Sequence, residues 1–323
     1  MSSLVLTQLS TVTPEDIAWL WPQYVPRGKL TLLIGDPEAG KSYLSLDILS
    51  RASSGNPWPT GEPSSAGVAI LLQAEDGLAD TVRVRLGALG ANLDLVWHID
   101  AVKDPIGEHP FSLDRDLNAL TATLVERTPS VLVVDPLTAY LGKTDYFNDP
   151  QVRSILAPLV RVAELHRVAV IGIMHLNKDQ QKSVIYRTGG SIGFVAAARC
   201  VYLIASEGDR RLMLPVKFNI GPKPPGRSYQ VTDKGIVWDT EPARVDPQEL
   251  IGSPPETRLL ERDKAVKWLR AFLADGAKAW EAIVEASKVE GISQATLYRA
   301  RSEVGIVGTT ADVYGARMTV WSL

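Results

Sequence analysis

The sequence predicts an α/β protein. A mostly parallel sheet with helices on both faces is followed by a small C-terminal domain of helices and a hairpin. Three observations predict it. First, apolar runs at Leu30–Ile34, Val68–Leu72, Val131–Val134 and Val168–Ile173 alternate with helical patterns at Tyr43–Arg51, Asp80–Leu89, Leu113–Val125 and Val152–Leu165. Short runs rich in Val, Ile and Leu and separated by helices belong to a sheet buried on both faces. Second, residues 241–257, EPARVDPQELIGSPPET, hold four prolines and no clear period, as a linker does. Third, the last stretch has its own rhythm of three helices, each stopped by a glycine.

From Cys200 onward, CVYLIA, RLMLPVKF, SYQV and GIVW look like strands joined by short turns, so the sheet is expected to end in antiparallel strands. Residues 1–240 form the large domain, 241–257 the linker and 258–323 the small domain. In the small domain AVKWLRAFLADG stops at Gly276 and AWEAIVEASKVEG at Gly291. SQATLYRARSEVG is capped by Ser293 and ended by Gly305. The strand-like runs IVGT and RMTVWSL flank a turn at Tyr314 and Gly315. Three helices and a terminal hairpin make a winged helix-turn-helix, with Trp268, Trp280 and Trp321 in its core.

At 323 residues and 35.1 kDa the chain is too long for one average domain. A 45% hydrophobic and 22% charged composition suits a soluble globular protein and excludes a disordered one. One cysteine, Cys200, excludes a disulfide framework and a thiolate zinc site and points to the cytoplasm. The first residues lack the basic and apolar regions of a signal peptide. The longest apolar stretches, such as VAVIGIM from Val168, fall far short of the roughly 20 residues of a membrane span, so no membrane is expected as a partner. Net charge is −3, unevenly placed. Residues 1–256 hold 24 basic and 29 acidic side chains, and residues 257–323 hold 10 and 8. A mildly basic tail permits nucleic-acid contact without demanding it.

GDPEAGKS, Gly35 to Ser42, fits G-x-x-x-x-G-K-[ST] between an apolar strand and a helix, the context a phosphate-binding loop requires. Gly35 and Gly40 let backbone N–H groups curl around an anion, and the helix start adds its positive dipole end. Lys41 neutralises the β and γ phosphates of ATP, and the Ser42 hydroxyl ligates Mg²⁺. The nucleotide site thus comprises Gly35, Asp36, Pro37, Glu38, Ala39, Gly40, Lys41, Ser42 and the adjoining Tyr43. Asp135, in VLVVDPL, ends a buried strand where ligands bind in open α/β sheets and suits the second Mg²⁺ acid.

The residue after Asp135 is Pro136, so the water-activating base must come from elsewhere. LLQAEDG supplies Glu75, just past a strand expected to neighbour the phosphate-loop strand, with Asp76 as the adjacent competitor. IGIMHLNK places His175 and Asn177 at another strand end, where a polar side chain can sense the γ phosphate or simply satisfy hydrogen bonds.

The order GDPEAGKS, AED, VVDPL, MHLNK, RTGGS, AAAR and VKFN resembles RecA-like P-loop ATPases of plasmids and phages, AAA-type ATPases of mobile elements. It is most similar to the RepA-type hexameric replicative helicases and more distantly to DnaB-like helicases, over roughly residues 17–240. The resemblance implies a RecA-like core, ATP and Mg²⁺ held by Gly35, Gly40, Lys41 and Ser42, Glu75 as base, Asp135 as Walker B acid and His175 as sensor. Arg199 and Lys217 correspond to residues that reach a neighbouring subunit's nucleotide. A cation supplied in trans stabilises the transferring phosphoryl group and makes hydrolysis depend on assembly. The chain departs from the helicase pattern at Met174-His175, where two histidines are common, and in its winged-helix tail.

Two loops mix cations with aromatics, as single-stranded DNA contact requires. Residues 141–151 contain Lys143, Tyr146 and Phe147; residues 176–191 contain Lys178, Lys182, Tyr186 and Arg187. In a RecA-like ring they would line the channel, where six weak contacts act together. The third helix of the tail offers Ser293, Gln294, Thr296, Arg299 and Arg301 to duplex DNA, or the domain docks a replication protein. These features predict an ATP-driven motor on single-stranded DNA, a hexameric replicative helicase of a phage or mobile element. The alternatives are an ATP-switched DNA-binding regulator and a RecA-like recombinase.

Overall fold

The computed structural model describes residues 4–177, 184–188, 190–247, 250, 255–313 and 316–322; the side chains of residues 186, 255–260, 295, 299, 302, 310–313 and 316–318 are outside the description. After an exposed N-terminal segment, β1 (Trp19–Trp21) and β2 (Val25–Pro26) form a short antiparallel pair that leads into β3 (Leu30–Gly35). Next come α1 (Lys41–Ser54) and β4 (Ala69–Gln73), then α2 (Arg83–Ala88) and β5 (Val96–His98). A small hairpin of β6 (Val102–Asp104) and β7 (Gly107–His109) precedes α3 (Leu117–Arg127), β8 (Val131–Asp135), α4 (Asp149–Leu165) and β9 (Ala169–His175). α5 (Ile192–Ala197) then gives way to β10 (Cys200–Glu207), β11 (Arg210–Phe218), β12 (Arg227–Thr232) and β13 (Gly235–Trp238).

These strands build a nine-stranded sheet in the order β13-β12-β11-β10-β3-β9-β8-β4-β5. The β10-to-β5 part is parallel, and β11, β12 and β13 continue it antiparallel. The Cys200 strand is thus the last parallel strand, and the antiparallel part begins one strand later than the texture change suggests. Strand period two sorts the apolar residues onto two faces. Leu30, Leu32, Ile34, Leu132 and Val134 pack with α3, α4 and α5 on one face. Leu33, Val131, Val133, Ile171 and Ile173 pack with α1 and α2 on the other. Each fully buried Leu or Ile contributes about 2 kcal/mol, so both faces are needed to hold so wide a sheet.

One expectation fails here. β4 does not neighbour the phosphate-loop strand β3; β8 and β9 lie between them. Apolar runs report burial, and burial on both faces is the same for every interior strand, so the pattern carries no information on order.

The 241–257 stretch is partly docked on the large domain. Ala243 pairs with Gly226, and Leu250 is buried in the first core cluster. The C-terminal unit begins inside that stretch with α6 (Pro255–Phe272). It continues with β14 (Lys278–Ala279), α7 (Trp280–Val289), α8 (Gln294–Val304), β15 (Val307–Val313) and β16 (Ala316–Ser322). Ser293 caps α8 by accepting from Thr296 N at 3.2 Å. The three strands pair antiparallel in the order β14-β16-β15. Trp321 is fully buried between Trp280 and Tyr298, while Trp268 stacks on Phe272. No helix among the described residues is long and apolar enough to cross a membrane.

Candidate functional site

The parallel strands all end at one edge of the sheet, and the motif residues gather there. Between β3 and α1 the chain turns tightly. Gly40 is left-handed (φ 92), a conformation that strains any residue with a Cβ. Glu38 also holds a positive φ (63), a strained conformation for a side-chain-bearing residue. Asp36, Pro37 and Glu38 are exposed, Ala39 is buried, and Tyr43 lies beneath the Arg85 guanidinium at 5.7 Å.

Lys41 is buried at the mouth of α1. Its Nζ donates to Gly35 O at 3.0 Å and Asp36 O at 2.7 Å. Burial lowers its pKa to about 8 against the opposing pull of Asp135, Asp36 and Glu75. Asp135, at the end of β8, is 4% exposed and accepts from the Ser42 hydroxyl. Burial raises its pKa to about 6; the Ser42 bond and Lys41 oppose this, while Glu75 and Asp76 add to it. Tyr140, buried near Asp135, is pushed up to about 12 by burial and stays protonated.

A buried lysine and a buried aspartate, both pushed toward their neutral forms, mark a site short of counter-charge. A triphosphate would restore the charge of Lys41, and a dication that of Asp135. The residues therefore fit both ligands. Ser42 and Asp135 offer hard oxygen donors, and no cluster of three or more His, Cys, Asp or Glu stands ready to hold a metal among the described residues. That donor set suits Mg²⁺, which keeps several waters and takes phosphate oxygens as ligands.

Glu75 and Asp76 are adjacent but differently placed. Asp76 is paired with Arg85 at 2.7 Å. Glu75 is half-exposed, and its Oε1 lies 3.9 Å from His175 Nε2 at the end of β9. The Gln73 amide supports this turn. In the orientation that satisfies both of its ends, its oxygen accepts from Glu75 N at 3.2 Å and its nitrogen donates to Asp76 O at 2.8 Å. The His175 Nδ1 is buried without a partner among the described residues. Burial, reinforced by Lys41, lowers the His175 pKa despite Glu75, which favours the neutral ring.

Arg199 and Lys217 are not brought to this edge. Arg199 N pairs with Leu30 O, and Lys217 stands opposite Val201, at the start of β10. The phosphate loop lies at the far end of β3, five residues or roughly 17 Å along the strand. Arg199 is exposed, beside a shallow cleft shared with Arg153, Arg161 and Glu164. Lys217 Nζ donates to Val195 O at 2.7 Å and Ala198 O at 2.8 Å, satisfying carbonyls at the end of α5.

The expected DNA contacts divide. Lys143 is exposed beside the Tyr146–Phe147 ring pair, whose centroids are 4.5 Å apart. Lys178 and Lys182 lie outside the described residues, as does the Arg299 side chain. Arg187 departs from expectation: it is 4% exposed and turned inward to the Asn177 carbonyl and to Asp36. Arg301 likewise turns in, donating to Ile306 O at 3.3 Å and covering the Trp321 ring at 5.2 Å. The Arg187 guanidinium is thus turned to a carbonyl and a carboxylate of the chain itself, whereas Arg301 commits its Nε to a carbonyl. Gln73, Arg85 and Tyr140 carry no motif that would single them out in the sequence. Gln73 alone leaves a trace there, as a polar side chain closing an apolar strand.

Residues 2–181 match the AAA domain family AAA_25. The chain is also similar to DNA repair protein RadA of Mycobacterium tuberculosis H37Rv (24% identity over 230 residues, 68% of this chain and 41% of that protein). RadA of Mycolicibacterium smegmatis is 26% identical over 232 residues (67% and 42%), and RadA of Bacillus subtilis 23% over 235 residues (68% and 43%). The chain thus spans about two fifths of the length of these curated relatives. With the phosphate loop, the buried acid at the β8 end and the parallel core in place, the chain belongs to the AAA domain family and is a P-loop ATPase.

Proposed function

We propose that the chain is an ATP-hydrolysing DNA motor, a hexameric helicase that translocates on single-stranded DNA in a phage or mobile element. One observation carries this reading: the site is built in halves. Phosphate loop, acid, base and sensor stand at one end of the sheet, and the cations expected to finish the reaction stand at the other, beyond reach of the same nucleotide. If Arg199 and Lys217 act on a nucleotide, it is one held by a second copy. The relatives carry the name DNA repair protein, which supports DNA as the track. When bound, Mg²⁺ supplies charge to the phosphates from Ser42 and Asp135. Lys41 binds the β and γ phosphates, and Glu75, unlike the paired Asp76, is free to orient and deprotonate the attacking water. A neutral His175 can report the γ phosphate to the segment after β9. Lys143 and the Tyr146–Phe147 pair offer charge and rings to a single strand.

A second reading draws on the C-terminal unit. Read as a winged helix, its helices and its β14-β16-β15 sheet support an ATP-switched regulator that docks duplex DNA or a replication protein as the alternative. Hydrolysis measured with and without single-stranded DNA, together with assembly mass, separates the two. The motor predicts rings, DNA-stimulated turnover and strand separation that vanishes in Lys41→Ala. Sequence-specific duplex binding with slow, DNA-indifferent turnover would favour the regulator.

A further inference from the structure

Arg187 is a cation buried where an exposed one was expected. Its Nε and Nη2 donate to Asn177 O at 3.2 and 3.0 Å, and Nη2 lies 3.4 Å from Asp36 Oδ1 in the phosphate loop. Asn177 N donates back to Arg187 O at 2.7 Å, and Leu176 pairs with Thr188. Arg187 therefore holds Asn177 and ties it to the nucleotide site. Asp36 is the shared point: its carbonyl accepts from Lys41 at 2.7 Å and its carboxylate faces Arg187. The path continues. Gly190 packs so closely on Tyr146 that a Cβ would lie 2.4 Å from the Tyr146 carbonyl. Asp149 accepts from the Ser191 hydroxyl and from Gly193 N. Tyr146 and Asp149 of the first loop and the described residues 184–188 and 190–191 of the second thus connect to the phosphate loop through Arg187.

We infer that Arg187 is a positioning residue that couples occupancy of the phosphate loop to residues 141–151 and to the described residues between 184 and 193. The inference rests on the nucleotide reading above and deepens it. A bound triphosphate draws on the Lys41 ammonium, two of whose three donors now go to the Gly35 and Asp36 carbonyls, and so changes what Asp36 offers its neighbours. It also places several negative charges near the Arg187 guanidinium. The rigid fork of arginine converts that altered balance into a change at the base of the loop. A residue that merely stapled the loop would hold the same contacts in both states.

Amide hydrogen exchange on the full chain, with and without a non-hydrolysable ATP analogue and Mg²⁺, tests this in wild type, Arg187→Lys and Arg187→Gln. In wild type the analogue slows exchange in the phosphate loop and in residues 141–147 and 184–193. In Arg187→Gln, at saturating analogue, the phosphate loop still responds. The response of the two loops falls at least about fivefold, and Arg187→Lys recovers part of it. Exchange in β3 and β8 shows that each variant is folded. Loops that respond in Arg187→Gln as in wild type, or that never respond in wild type, overturn the inference. Absence of any phosphate-loop response in wild type instead removes the nucleotide reading and the inference with it, a distinct result at a distinct segment.

Discussion

The two ends of the β3–β10 pair hold their cations in opposite ways. At the phosphate-loop end, Lys41 and Asp135 are buried and pushed toward neutrality, and His175 keeps an unpartnered nitrogen among the described residues. At the other end, Lys217 is satisfied by carbonyls of α5 and Arg199 stands in solvent. Burial lowers the Lys217 pKa too, but the first end holds both a lysine and an acid pushed toward their neutral forms and so costs the nucleotide-free protein more stability. Such unspent electrostatic need marks where a charged ligand binds, whereas a satisfied cation acts only when something new approaches it.

Substitutions at the first end should have the largest effects. Lys41→Ala is expected to lower hydrolysis by about 10²–10³-fold, as loss of a transition-state donor does, in a steady-state phosphate-release assay. Glu75→Gln should lower kcat by about 10²–10⁴-fold while nucleotide still binds, and Asp76→Asn should change kcat far less because Asp76 is paired with Arg85. Equal losses in the two would erase the distinction between the acids.

Asp135→Asn should split stability from activity. The folded-state pKa of Asp135 is raised from 3.8 to about 6. The folded chain therefore holds that proton more tightly than the unfolded chain, and stability falls as pH rises from about 4 through 6. At pH 7 the cost is on the order of 3 kcal/mol. Asn carries no charge, so the variant should be more stable than wild type at pH 7 by about 1–3 kcal/mol, with a flatter profile between about pH 4 and 6 in denaturant titrations. Its Mg²⁺-dependent hydrolysis should be lost. The smallest effect belongs to the second end. Lys217→Ala should destabilise the isolated chain by only about 1 kcal/mol, the usual value of a satisfied cap, in the same titrations.

Much of this is legible in the sequence alone. The runs that form β3, β4, β8 and β9 are marked by short stretches rich in Val, Ile and Leu, and GDPEAGKS and Asp135 stand out because each sits where such a run ends. Strand order is not legible, because β4 and β9 have the same texture although, of the two, only β9 touches β3. Nor is the fate of Arg187. It carries the residue type of a phosphate contact, and only the fold shows that its donors turn to Asn177 and Asp36. The pairing that separates Glu75 from Asp76 depends on Arg85, nine residues from Asp76 along the chain.

The half-site claim is tested most directly by mixing two variants, each inactive alone. Arg199→Ala keeps an intact phosphate loop, and Lys41→Ala keeps an intact cation for its neighbour. If nucleotide is completed across copies, equimolar mixing restores measurable hydrolysis, because some interfaces pair a good loop with a good Arg199. A mixture as inactive as its parts, or an Arg199→Ala variant that hydrolyses ATP at the wild-type rate, would contradict the account.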